Sequence, residues 1–468
     1  MTNGNVVDSE ILDFGDMKMA MGQAFYVNSQ GTAVPAGIVN KQWVLVNNVR
    51  YLIESIAYSS ISNQLQEMQH TSNIKPGRGS VRRMAFLDSI PSRSGAAKNQ
   101  KPMKLAKAEP TRPRLVMDYV LLSSSTNLIL QGDKTFFVTG LVNVTGTTTI
   151  EGGTVVKYTN SASAQITATN PVCLTGPFNP GVFSSMNDNS AGAIISGSTG
   201  TPSQNAAVYL SYGTLGNAPS LLFRNLRCSY AGQAISGTIS QSGIGSHTNS
   251  VTIWDCQLIN CATALYATLG GNDEGFPINA YNVLFSKCVN VFSNATSLGP
   301  NAQITFVNVT ADLVGTLYTG FPGNDALAYN SLFTSVTNTS TVNLYHCATN
   351  SSSTGFYQTA GAGAYYLAAG STYRNAGTSG INSGVLSDLQ TLTTYPPVVM
   401  AAGWFTNNYT FFPQAQRDTD TPDIGFHYPP IDFAVAMAVS NATVTVLSAR
   451  FAVVSGPTTP IRPSGSFT

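Results

Sequence analysis

Between Ser220 and Tyr357, apolar and polar residues alternate in short bursts that can be laid on one another. The run 221–231, Leu-Leu-Phe-Arg-Asn-Leu-Arg-Cys-Ser-Tyr-Ala, matches 251–261 thirty residues later, and further matches at 279–288, 304–311 and 342–349 follow at steps of 27, 26 and 38. In this register one column is polar: Asn225, Asp255, Asn282, Asn308 and His346. The residue after it is small or apolar each time: Leu226, Cys256, Val283, Val309 and Cys347. Period-two alternation in bursts this short predicts strands. Their recurrence predicts a solenoid, in which no repeat can bury its apolar side alone and each stacks on the next.

The same reading extends upstream. From Asp118 onward short β-branched runs are punctuated by Gly132, Gly140, Gly146 and Gly152, a rhythm suited to a chain winding in short strands and bends. Residues 1–70 predict a small β unit, with strands on either side of Asn47-Asn48 as a tight hairpin and a short helix over 61–68. Residues 71–117 hold eleven of the 23 basic residues against only Asp88 and Glu109, and their Gly, Pro and Ser break any period. A solvated, flexible basic linker is the expectation there. The predicted organisation is a β unit over 1–70, that linker over 71–117, a solenoid over 118–428, and over 429–468 the start of a C-terminal β segment or cap.

Composition narrows the class. Charged residues are 10% of the 468, against about 25% in an ordinary soluble domain, while 43% are hydrophobic. That balance disfavours charged-faced helices and disorder alike. A net charge of +1 gives no pull toward nucleic acid, so no nucleic-acid partner is expected. Nor is a membrane span: no run of 18 apolar residues occurs. The six cysteines contain no C-x-x-C pair and read as small buried hydrophobes. The first ten residues lack the basic and apolar regions of a signal peptide, so a chain that begins after its signal is the expectation for an exported protein.

The repeating pattern, apolar-x-apolar-x-Asn/Asp-apolar-x-apolar, resembles the coils of right-handed parallel β-helix proteins of the pectin-lyase-like architecture. Thr421, Pro422, Asp423, Ile424, Gly425, Phe426, His427 and Tyr428 resemble the Asp-Ile-Gly-aromatic segment that closes such domains in secreted bacterial proteins. The resemblance covers about 118–428. It implies an all-β fold, a right-handed parallel β-helix solenoid, on the order of ten coils stacked about 4.8 Å apart. The polar column becomes a ladder at a bend, its amides bonding backbone and one another. Secretion or a cell-surface location is implied as well. Activity is not, because the fold carries lyases, hydrolases, adhesins and stalks.

Pectin-degrading members need clustered carboxylates. Their Asn-Thr-Asp, Asp-Asp, Gly-His-Gly and Arg-hydrophobic-Lys motifs are absent. Asp255 reads as a ladder member, and Asp273-Glu274 as a solvated loop pair. Asp418, Asp420 and Asp423 are close enough in sequence to suggest Ca²⁺ but lack the Gly and final Glu of an EF-hand loop, so an Asp-capped turn is expected. His247 and His346 have no partner at a triad spacing. No catalytic residue, metal or cofactor is therefore assigned. The residue preceding the ladder is different: Arg224, Trp254, Tyr281, Val307 and Tyr345 should point outward, one per coil. Arg224, Trp254, Tyr281 and Tyr345 are the carbohydrate-binding candidates, since sugar rings stack on such stripes. The expected function is a non-catalytic, monomeric surface or matrix module with polysaccharide as partner. The alternatives are a lyase or hydrolase with a diverged site near Asp255, Asp273 or Glu274, and a passive spacer of a longer surface protein.

Overall fold

The computed structural model describes strands and short turns within 5–62, residues 114–116, and 119–453 apart from 133, 215–219, 240–249, 270–276, 295–302, 321–324, 340–341, 362, 440–442 and 448. Contacts divide the chain into two compact units, and the second contains Tyr119–Thr468.

In the first unit the long strand Ala33–Val46 organises an antiparallel sheet with Asn5–Glu10, Gln23–Val27, Val49–Ile56 and Arg114–Val116. Val46 pairs with Val49, which is the hairpin expected around Asn47-Asn48. Arg114–Val116 pairs with Val27–Phe25, so residues 114–116 of the basic stretch are sheet. The rest of that stretch lies outside the described residues, as does the expected helix over 61–68 apart from Ser62.

The second unit is an all-β parallel β-helix solenoid. The coils stack into three parallel sheets of six, ten and eight strands among the described residues, and the coil beginning at Leu221 gives one strand to each, as Leu221–Arg224, Leu226–Ser229 and Gln233–Ile239. The second of these sheets has ten strands, in keeping with about ten coils. Like stacks over like: Leu221, Val251, Ile278 and Ile304 share one register position. Phe223, Ile253, Ala280 and Phe306 share the next inward one, and all eight are at most 3% exposed. Cys228, Cys256, Cys261 and Cys288 are buried free thiols in the same interior, while Cys173 and Cys347 are partly buried.

Between the first and second sheets the chain turns on one residue in the left-handed region: Asn225, Asp255, Asn282, Asn308, Asn330 and His346, with φ from 48° to 54°. Each of the first five keeps the inter-coil ladder running by donating its N–H to the next coil, as Asn282 does to the Val307 carbonyl. Asn and Asp tolerate this region better than other residues with a Cβ, and the column is compatible with it. Asn330 belongs to the column as well, outside the five matching runs of the sequence. Its bend falls 22 residues after Asn308 and 16 before His346, so the 38-residue step holds two short coils.

After the last coil the chain runs back over the outside of the solenoid. A hairpin of Tyr357–Ala360 and Gly363–Leu367 lies on the second sheet, with the Tyr365 hydroxyl 2.5 Å from Ser286 Oγ and 3.1 Å from Asp312 Oδ2. Helix α1 (Ser383–Leu389) follows, capped by the Asn382 side chain accepting from Gly384 and Val385 N–H groups. Residues 422–428 then complete this strap. It explains a burial pattern that one-sided sheets do not show: Leu284–Ser286, Thr310–Asp312 and Leu332–Thr334 are buried on both faces. Leu226–Ser229, two coils before Leu284–Ser286, alternates buried and open. Beyond the strap, Phe433–Val439 pairs in parallel with Val398–Phe405 and with Phe451–Val453 around Phe405, Phe411, Phe433 and Val444.

Candidate functional site

Two features of the sequence, the polar column and the 421–428 segment, meet in the fold. Asn282 donates Nδ2 to the His427 carbonyl (3.0 Å) and accepts the His427 N–H on Oδ1 (2.7 Å). Asn308 Nδ2 donates to the Asp423 carbonyl at 2.9 Å. Asn330 exchanges bonds with the backbone of Thr378, and its own carbonyl accepts the Gly425 N–H. The amides bond one another only in part, as Asn330 Nδ2 does to Asn308 Oδ1 at 3.5 Å. The ladder is chiefly a row of fittings for the strap. His346, on the last coil, continues the backbone bend without a strap partner among the described residues.

The outward stripe also forms. Arg224 lies over the Trp254 ring at 4.8 Å, Trp254 meets Tyr281 edge-on at 5.3 Å, and Tyr329 stacks on Tyr345 at 5.0 Å. The chain itself covers its middle. Val385 and Leu389 of α1 are buried against Trp254, Tyr281, Val307 and Tyr329. Asp388 of α1 accepts from Arg224 Nη2 at 2.7 Å and from Trp254 Nε1 at 2.8 Å. Of the four carbohydrate candidates, Arg224, Trp254 and Tyr281 are therefore partly buried under the helix, and Tyr345 alone is exposed, at 47%.

Where the strap ends, a small cleft, partly open to solvent, remains beside this network. Pro177, Pro180, Pro429 and Phe426 give it apolar walls, and Asn225, Arg227, Asp255, Gln257, Asp388 and Thr391 give it polar ones. Arg227 and Gln257 occupy the outward position two residues past the bend, filled in later coils by Leu284, Thr310 and Leu332 beneath the strap. The change from Leu and Thr to the larger polar Gln257 and Arg227 along that position marks where covering stops. Arg227 is exposed and makes no ion pair among the described residues.

Asp255 and Asp388 share one guanidinium nitrogen, Arg224 Nη2, at 2.8 and 2.7 Å. Burial, reinforced by the Asp388 charge, pushes the Asp255 carboxyl up to about 7 against the bonds from Asn282 and Arg224. Burial acts to lower Arg224, but the two carboxylates outweigh it and raise the group. All four carboxylate oxygens are engaged: Asp255 Oδ1 by Asn282, its Oδ2 by Arg224, and Asp388 by Arg224 and Trp254.

Compared with protein-family models, with curated proteins and with solved structures, the chain matches none.

The remaining candidates separate. Asp273, Glu274 and His247 lie outside the described residues. Asp418 and Asp423 are buried in the strap, whereas Asp420 is exposed and takes no part. The third member of their group is His427, whose Nε2 lies 2.7 Å from Asp418 Oδ2. Burial raises the Asp423 carboxyl, opposed by bonds from Thr394 and the Asn375 N–H. Among the described residues, no helix is long and apolar enough to cross a membrane.

Proposed function

We propose that the chain is a non-catalytic β-helix module of an exported surface or matrix protein, and that it binds polysaccharide at the end of the strap. One observation carries this reading. The carboxylates beside the cleft are already engaged in the Arg224–Asp388 network that holds helix α1, while the Arg227 and Gln257 side chains make no hydrogen bond or ion pair among the described residues and stand beside apolar walls. A guanidinium and an amide over proline and phenylalanine surfaces suit a sugar, whose hydroxyls or carboxylate they bond and whose CH faces pack on the walls. Tyr345, open at the end of the stripe, offers a second stacking surface. Export rests on the pectin-lyase-like resemblance and the sparse charge.

A second reading is favoured by a different observation: Asp255, pushed up to about 7 beside Asp388, is the kind of carboxyl pair a glycoside hydrolase divides into acid and base. One experiment separates the two. The purified chain is incubated with acidic and neutral polysaccharides, with and without Ca²⁺, scoring retention together with new reducing or unsaturated ends. Retention without product, reduced at least tenfold by Arg227→Ala or Tyr345→Ala, is expected. Product that disappears in Asp255→Asn replaces the first reading by the second. Neither retention nor product leaves the module a spacer.

A further inference from the structure

The strap buries two carboxyl groups and an imidazole against one another. Asp418 and Asp423 have 7% and 3% of their surface exposed and His427 none, and one ligand atom from each lies within 4.8 Å of the others. Asp423 accepts from the Asn375 N–H on Oδ1 and from the Thr394 hydroxyl on Oδ2. Asp418 Oδ2 accepts the Asp423 N–H and faces His427 Nε2. Its Oδ1 is buried and has no hydrogen-bond partner. No Lys or Arg pairs with either acid among the described residues.

His427 is oriented for a definite role. Its Nδ1 lies 2.9 Å from the Gly425 carbonyl oxygen, which can only accept, so Nδ1 carries a hydrogen. Nε2 then turns its lone pair toward Asp418 Oδ2 at 2.7 Å, a position that a hydrogen or a metal ion can bridge. A divalent metal ion brings the same three side chains to neutrality and gives Asp418 Oδ1 a partner. An Nδ1–H bonded to a backbone carbonyl is also how metal-binding imidazoles are held.

We propose that Asp418, Asp423 and His427 form a structural site for a divalent first-row transition-metal ion, of which Zn²⁺ is the probe. One imidazole nitrogen with two carboxylates suits such an ion better than Ca²⁺, which prefers an all-oxygen shell. The site closes only when the strap does. Asp423 is tied to residues 375 and 394, and the backbone of His427 to Asn282 of the solenoid. The ion therefore enters during folding and staples the strap to itself over the ladder.

The test uses the full chain, unfolded with chelator and refolded with or without ZnCl₂, then gel-filtered and assayed for metal and melting temperature. One zinc per chain is expected, with melting about 3 °C or more above the chelated sample. Asp418→Asn, Asp423→Asn and His427→Gln should each lose the zinc, and Asp420→Asn should keep it. Since these variants can also fail to fold, X-ray absorption on the unmutated protein provides an independent measurement. A shell of nitrogen and oxygen with one imidazole supports the site, and sulfur in the shell assigns the zinc to the cysteines and overturns it. Refolding to the same melting temperature with no zinc retained overturns it too, as does undiminished zinc in Asp418→Asn.

Discussion

The solenoid turns twice per coil on residues of one backbone conformation, and the two turns look nothing alike in sequence. At the first bend stand Asn225, Asp255, Asn282, Asn308 and Asn330, with φ from 48° to 54°. At the second stand Tyr230, Asn260, Lys287, Leu313 and Ser335, with φ from 52° to 67°. Both sets donate N–H to the next coil: Asn308 to Tyr329, Leu313 to Thr334. If left-handed geometry alone selected amides, both columns would be Asn. It costs a residue with a Cβ only about 1–2 kcal/mol, and a Lys or Leu held in a stacked ladder bears it. What the first bend has in addition is the strap. Asn225, Asn282, Asn308 and Asn330 are at most 6% exposed, whereas Lys287 and Leu313 are exposed.

The comparison breaks most severely at the strap's narrowest point. Gly425 has φ +96°, and a Cβ there would lie 2.7 Å from Thr310 Oγ1 and 3.2 Å from Leu332 Cβ. Gly425→Ala should cost about 3 kcal/mol or more through strain and displacement of the Phe426 N–H from Thr310. Denaturant unfolding measures it. A loss below about 1 kcal/mol would mean that the strap is not seated on the ladder.

Next in size is a matched pair. Asn282→Ala strips partners from the His427 N–H and carbonyl and from Asp255 Oδ1, so a loss of about 2–4 kcal/mol is expected. Lys287→Ala, at φ +56° one bend later in the same coil, should stay within about 0.5 kcal/mol of the parent. Equal losses would show that the bend, not the strap, sets the value of the column.

This contrast also explains what could be read in advance. The first column was legible because its chemistry is uniform, and the Asp-Ile-Gly-Phe-His-Tyr segment because it is compositionally odd. That they bind one another was not, since Asn282 and His427 are 145 residues apart and no local rule connects them. The stripe of Arg224, Trp254, Tyr281 and Tyr345 was legible as outward-facing, but its main occupant, helix α1, is only seven residues long and weakly patterned. Asp388 therefore had no visible role. The second column escaped altogether, because a backbone conformation shared by Tyr, Asn, Lys, Leu and Ser leaves no common chemistry to find.

Asp255 is the charged member of the first column and gives it a pH signature. Its carboxyl sits at about 7 in the fold, against about 4 in an unfolded chain. Between those values the folded protein holds a proton that the unfolded one has released, so stability falls as pH rises from about 4 to about 7 and then levels. Asp255→Asn should flatten that part of the profile, measured as melting temperature against pH. An unchanged slope would assign it to other groups. A second-column variant such as Ser335→Ala should leave it untouched.

The smallest effect tests the other side of the comparison. Leu313 is 48% exposed at φ +55°, a conformation that Asn adopts at less cost. Leu313→Asn removes only partly buried apolar surface and relieves backbone strain without the added chain entropy of Gly. A gain of about 0.5 kcal/mol is expected, a rise in melting temperature of about 1 °C or less for a chain of this size. The mirror substitution, Asn308→Leu, keeps the bend but leaves the Asp423 carbonyl without its donor in a fully buried position, and should be destabilising by several times that amount. A substantial loss from Leu313→Asn would mean that the second bend, too, is under a constraint, one carried by the apolar body of Leu313 instead of by hydrogen bonds.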